Sequence, residues 1–216
     1  NYVYMSLFQP LDNQSRWAGN LKKYSLNSNN DFASCNSGTA ILTPSGTIKD
    51  SAQSCWSANP DGGQVTKGGA GQELSDMSDA NRNIYTNIST TTDVLSDSAN
   101  EFSTSNGELE PSDFAYVTGE TEKDELINEI RMVDEEWKLG DLNHSKPGVA
   151  EYVSGESTHQ YVFVGSNDGL LHCFDDADGS EKWAFVPAEQ FSRIQEVYTG
   201  DHSYFMDGSP TIADTS

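Results

Sequence analysis

Apolar positions alternate with polar ones in several short stretches, which is the period of half-buried strands rather than of helices. Residues 1–8 predict a strand, with Tyr2, Tyr4 and Leu7-Phe8 supplying β-formers. Residues 16–26 alternate again. Trp17, Leu21 and Leu26 are placed toward a core, and Lys22 and Lys23, the local cluster of positive charge, outside it. Residues 39–50 predict a hairpin, in which Ala40-Ile41-Leu42 leads through the turn Pro44-Ser45-Gly46 to Thr47-Ile48-Lys49. A short strand follows at 83–87. Residues 122–137 change period: Leu126, Ile127, Ile130 and Val133 recur at helical spacing behind an acidic first turn, which suits the positive end of the helix dipole. That apolar face predicts a helix packed on a sheet.

The last third has a different rhythm. Residues 160–165 read as a buried strand, Ser166-Asn167-Asp168-Gly169 as a type I′ hairpin turn, residues 170–174 as the returning strand, 175–179 as a second turn and 181–187 as a third strand. Three strands on tight turns make most of a four-stranded propeller blade, and 204–214 reads as the first strand of the next. Between these elements, 57–82 is loop-like. Its run Gly68-Gly69-Ala70-Gly71 is not a phosphate loop, because no Gly-Lys-Ser/Thr follows it. Residues 88–113, rich in Ser, Thr, Asp and Asn, read as a surface insertion or a disordered loop. Trp17, Trp56, Trp137 and Trp183 are expected to pack between blades.

Composition agrees with this outline. Hydrophobic residues make up 35% of the 216, and 18 are glycine, which favours turns and loops over a helical bundle. The pattern therefore predicts an all-β chain with one short helix and long loop insertions, whose last third reads as most of a propeller blade. The net charge of −22, from 34 acidic and 12 basic residues, opposes binding to nucleic-acid phosphates and to anionic lipid. It reads as a solvated acidic surface, with uptake of divalent cations as the alternative. No run of 18 apolar residues is present to span a membrane. The chain opens on Asn1 without a signal-peptide pattern, which reads as an internal or processed segment.

Candidate chemistry is sparse. Cys35 and Cys55 lie twenty residues apart in polar, turn-rich surroundings, and are either a disulfide suited to an oxidising compartment or two separate thiols. Cys173 reads as a small buried hydrophobe. No Cys/His pair has zinc-ligand spacing. Asp175, Asp176 and Asp178 form a carboxylate cluster before Gly179: a solvated blade turn, or a calcium site lacking the EF-hand's first ligand and closing Glu. Asp141, His144 and Ser145 contain the residue types of a hydrolytic triad, but neighbours in one turn do not form a nucleophile, base and orienting group in line, so they read as turn caps. His172 reads as a packing or edge residue and His202 as a hydrogen-bonding one.

Five stretches carry a family resemblance. Residues 161–187 resemble the quinoprotein-type propeller repeat: a strand, Asn-Asp-Gly, a strand ending in Phe-Asp, a glycine turn, then Trp. Trp17-Ala18-Gly19-Asn20-Leu21-Lys22-Lys23-Tyr24, then Gly68-Gly69-Ala70 with Arg82-Asn83-Ile84-Tyr85-Thr86, then Leu139-Gly140-Asp141-Leu142-Asn143-His144-Ser145-Lys146-Pro147, and then His202-Ser203-Tyr204-Phe205-Met206-Asp207-Gly208-Ser209-Pro210-Thr211 are similar, in order, to motifs of the PilY/PilC type IV pilus tip and biogenesis proteins. The resemblance implies that 1–216 is a portion of a modified quinoprotein-like β-propeller, in a non-enzymatic, exported protein at the pilus tip or outer-membrane surface. Its role there would be pilus assembly, control of retraction and adhesion. Its implied partners are pilins and minor pilins, a host or abiotic surface, and the remainder of the propeller in the same or another chain. It implies no certain cofactor; the family's calcium loop has no clear copy in this stretch. Two other readings remain: a fragment of a quinone-cofactor (PQQ-type) propeller dehydrogenase, supported by the generic repeat, and a propeller scaffold for outer-membrane protein assembly.

Overall fold

Alternating sequence becomes strand wherever a partner strand can take up its backbone groups, and two separate sheets result. The computed structural model describes residues 1–213. The first sheet has three antiparallel strands, β1 (Tyr2–Gln9), β2 (Ala18–Leu26) and β3 (Phe32–Ala33), in the order β1-β2-β3, with Tyr2 opposite Ser25 and Gln9 opposite Ala18. The second has five strands in the order β4-β8-β7-β6-β5: β4 (Ile84–Tyr85), β5 (Gly148–Ser154), β6 (Ser157–Gly165), β7 (Leu171–Asp175) and β8 (Glu181–Phe185). Strands β5 to β8 form an antiparallel four-stranded meander, and β4 adds to β8 in parallel. Among the described residues neither sheet closes into a ring.

The expected strands at 1–8, 16–26 and 83–87 and the three strands of the last third are all present, and β5 adds a strand that the pattern missed. The expected hairpin at 39–50 is reduced to single bridges, Ala33 to Ala40 and Leu42 to Ile48. Several other readings are corrected. The glycine-rich part of 57–82 contains a helix, α1 (Gly69–Asp76), so two α-helices rather than one are present among the described residues. The second, α2 (Glu120–Arg131), stops six residues short of the expected end, where Met132 adopts a left-handed backbone (φ 53°) and donates its N–H back to Asn128 and Glu129. Of Asp168-Gly169, only Gly169 has positive φ, so the connection is a three-residue loop closed by Ser166 N–H to the Leu170 carbonyl rather than a type I′ turn. Residues 204–213 form no strand, and Asp214, the last residue of that expected strand, lies outside the described residues.

The largest buried cluster lies where α2 covers one face of the five-stranded sheet: Leu126, Ile127 and Ile130 meet Ile84, Leu170, Ala184 and Val186. Residues 88–113 contribute to this core. Phe102 and Leu109 are buried in it, and Phe102 and Phe114 both pack on Phe191, so the stretch is an ordered cover, not a disordered loop. A second cluster joins the two sheets through Leu21, Trp56, Leu74, Leu139, Val162, Val164 and Phe174. Trp17, Trp56 and Trp137 pack against other parts of the chain, and Trp183 is only partly buried. Trp17 stacks on His202, Trp56 covers Gly179, Trp137 covers Gly71, and Trp183 tilts against Phe163.

Candidate functional site

The loop between β6 and β7 carries Asn167 and Asp168, and four chain segments converge on it. Asp168 is fully buried. Its Oδ2 accepts the Gly140 N–H at 3.0 Å, and Ser166 Oγ donates to its Oδ1. His172, on β7, sets Nε2 2.8 Å from Ser166 Oγ and Nδ1 2.7 Å from Glu181 Oε1 on β8. Glu181 also accepts from Arg82, Nε to Oε2 at 2.9 Å and Nη2 to Oε1 at 3.3 Å, while Arg82 Nη1 donates to the Arg131 carbonyl that ends α2. Two carboxylates and two cationic groups thus share one dry volume, and their formal charges cancel.

The line Ser166–His172–Glu181 has the spacing of a nucleophile, base and orienting acid. Its electrostatics argue otherwise. Burial alone would lower the His172 pKa, but Asp168 and Glu181 outweigh it and raise it to about 9. Burial likewise works to raise Glu181, and Arg82 and His172 reverse it, holding the carboxyl at about 2. At neutral pH the ring is an imidazolium that donates from both nitrogens and has no lone pair with which to take a proton from Ser166. His172 and Ser166 are also closed off from solvent. The cluster holds strands in register; it does not transfer acyl groups.

The sequence-derived candidates fall into place around this hub. Asp141 Oδ1 accepts from Asn167 Nδ2 (2.7 Å), and its Oδ2 lies 2.7 Å from His202 Nε2. His144 Nδ1 instead pairs with Asp207 (2.6 Å), and Ser145 Oγ donates to the Gly208 carbonyl (3.0 Å). Asp141, His144 and Ser145 therefore do not face one another; each ties the 202–209 strap down. The first motif is equally structural. Gly19 lies so close to the Gly140 carbonyl that a Cβ would overlap it. Asn20 donates from Nδ2 to the carbonyls of Val65 and Gly68 and accepts the Gly71 N–H, which positions α1.

Lys22 and Lys23, expected in solvent, are both buried because each has an acidic partner far along the chain. Lys22 Nζ lies 3.0 Å from Asp61 Oδ2, and burial lowers its pKa against the opposing pull of Asp61. Lys23 Nζ lies 2.7 Å from Asp176 Oδ2 and 4.1 Å from the Tyr2 ring centroid.

The three carboxylates read as a solvated turn or a calcium site have partners within the chain. Asp176 turns inward to Lys23 and to the Tyr4 hydroxyl, Asp175 pairs with Lys182 at 3.6 Å, and Asp178 accepts the Ser180 N–H. The three carboxylates do not converge, and among the described residues no group of three His, Cys, Asp or Glu side chains is arranged to hold a metal ion. Cys35 and Cys55 form a disulfide, with Cα atoms 5.0 Å apart. Cys173 is buried beside Ala150 and Phe163, and its thiol pKa is pushed up to about 12, first by burial and then by Glu181.

Sequence reasoning missed Arg82, Glu181 and Asp168 as a unit. Glu181, a charge at the start of the strand-forming stretch 181–187, was the available signal.

Comparison with known proteins gives partial matches to one kind of protein. The chain is 43% identical over 58 residues to type IV pilus biogenesis factor PilY1 of Pseudomonas aeruginosa, covering 24% of this chain and 5% of that protein. It is 31% identical over 102 residues to PilY1 of another strain of that species, covering 35% and 9%. It is 46% identical over 56 residues to a PilY1 homologue of Xylella fastidiosa, covering 24% and 4%. The matched stretches are thus a small part of those relatives' length. No family model matches the chain, and no solved structure matches it. No helix among the described residues is long and apolar enough to cross a membrane.

Proposed function

We propose that this chain is a scaffold portion of a non-enzymatic type IV pilus biogenesis factor, exported and held at the pilus or outer-membrane surface, where it supports assembly, retraction control and adhesion. The observation that carries the reading is the convergence of the family-like motifs on one brace. Gly140 and Asp141, Asn167 and Asp168, Arg82, and His202 are far apart in sequence and meet around one loop. Matching such residues to PilY1-type proteins thus matches a fold framework, not a catalytic site. The Cys35–Cys55 disulfide supports an oxidising location.

In this reading the β5–β8 meander is one propeller blade. Its face around Ala150, Phe163 and Cys173, with Tyr161, Leu171 and Trp183 only partly covered, receives the neighbouring blade from the rest of the polypeptide or from another chain. Pilins, minor pilins and a contacted surface are the partners. Immunoblotting of sheared pili tests this: the protein is expected with the pilus fraction, and its in-frame deletion is expected to reduce surface piliation. Retention in the cytoplasm with normal piliation would overturn the reading.

A further inference from the structure

Outside the brace, α2 and the two segments flanking it form a cleft of about 330 Å³ lined by Tyr116, Val117, Glu122, Glu125, Glu129, Gln195 and Tyr198. We propose that this groove docks an arginine-bearing segment of a partner protein, with the guanidinium held between the tyrosine rings and the α2 carboxylates.

Several independent features fit that occupant. Tyr116 is 84% exposed, the most exposed large apolar side chain among the described residues, and it sits at φ 63°. A solvated aromatic ring in that backbone region adds nothing to the core and costs strain. Glu125 and Glu129 lie one helical turn apart, where like charges repel, and Glu129 sits in the last turn, where the helix dipole disfavours an anion. Thr118 donates to Glu122 and Arg16 offsets part of the Glu129 charge, but Glu125 has no cationic partner among the described residues, and local choices that oppose stability mark functional surfaces. Tyr198 lines the same cleft half-buried, and its pKa is raised by burial and then by Glu129 and Glu125, so its hydroxyl lies in the field of both carboxylates.

The chain's own Arg16 shows that a guanidinium fits at the rim. Its Nη2 donates to the Glu129 carbonyl at 2.9 Å, and Nη1 stands 3.9 Å from Glu129 Oε2. Arginine suits the site better than a simple ion, because its planar cation both stacks on tyrosine and bonds carboxylate in a fork.

The test is a fluorescence-anisotropy titration of the labelled peptide acetyl-Gly-Arg-Gly-Arg-Gly-amide into the full chain at physiological ionic strength. The Glu125→Gln/Glu129→Gln variant is expected to weaken binding about tenfold, and Tyr116→Ala about threefold with no change in charge. Asp12→Asn/Asp50→Asn, which removes the same charge from exposed positions around the first sheet, is expected to change it less than about twofold. Equal losses in the two double variants, an unaffected Tyr116→Ala, or no binding by the parent chain would each overturn the proposal. Glutamine is a good helix former, and removing the repulsion leaves α2 at least as stable, so loss of fold does not mimic loss of binding.

Discussion

At the scale of single residues, the buried charge cluster decides how the molecule responds to pH. His172 has a folded pKa of about 9 against 6.5 for the free side chain. Its contribution to stability is therefore complete below about pH 6.5 and is lost as pH rises through 9. Glu181, at about 2 against 4.5, contributes fully above pH 4.5 and loses its contribution as pH falls toward 2. Urea denaturation across pH 6–9 is expected to show a declining midpoint that His172→Gln flattens. That substitution is expected to cost on the order of 3 kcal/mol at neutral pH, because Glu181 and Asp168 lose a buried cation. A midpoint independent of pH in the parent chain would contradict the protonated ring. Gly19 provides a second residue-scale test. A Cβ there would meet the Gly140 carbonyl, so Gly19→Ala is expected to destabilise by about 2 kcal/mol or more and to loosen the β2–Gly140 bridge in amide exchange.

At the scale of elements, burial separates the ordered insertions from the open ones. Residues 88–113 look disordered by composition, yet Asn100 donates to the Val94 carbonyl, Asn106 donates to the carbonyls of Ala99 and Glu101, and Phe102 and Leu109 fill the core beneath α2. By contrast, the hairpin tip at 151–160 is exposed throughout. Limited proteolysis is therefore expected to cut first in 151–160 and to spare 98–113; early cleavage around Phe102 would show that the cover is not formed. Leu126→Ala is expected to cost about 3 kcal/mol, since it opens a cavity between α2 and the five-stranded sheet.

At the scale of the whole molecule, two long-range terms act on the pairing of the sheets. Asp176 receives the Tyr4 hydroxyl, the Lys23 ammonium and, at its carbonyl, the Trp56 indole N–H, so one residue of the β7–β8 turn anchors the first sheet to the second. The Cys35–Cys55 disulfide closes a loop that ends next to Trp56. Its reduction is expected to lower stability by about 3 kcal/mol, seen as a lower thermal midpoint and a change in tryptophan emission. The charge of −22 opposes compaction by self-repulsion. Added salt is expected to raise the thermal midpoint, whereas buried pairs such as Lys22–Asp61 are little screened.

The sequence by itself determined the strand-rich class, the placement of most strands, the helix at Leu126–Ile127–Ile130 and the cysteine pair as a candidate bond. These depend on local periodicity and turn chemistry, which neighbouring residues encode. Only the tertiary structure decided what the charged residues do. Lys22 and Lys23 read as solvent-facing because their partners Asp61 and Asp176 lie 39 and 153 residues away. Arg82 and Glu181, 99 residues apart, could not be paired by spacing. The carboxylates of Asp175, Asp176 and Asp178 resembled a metal loop until packing turned one inward and left the others at separate partners. Burying a charge is unfavourable unless an opposite charge meets it, and only the folded chain brings the two together.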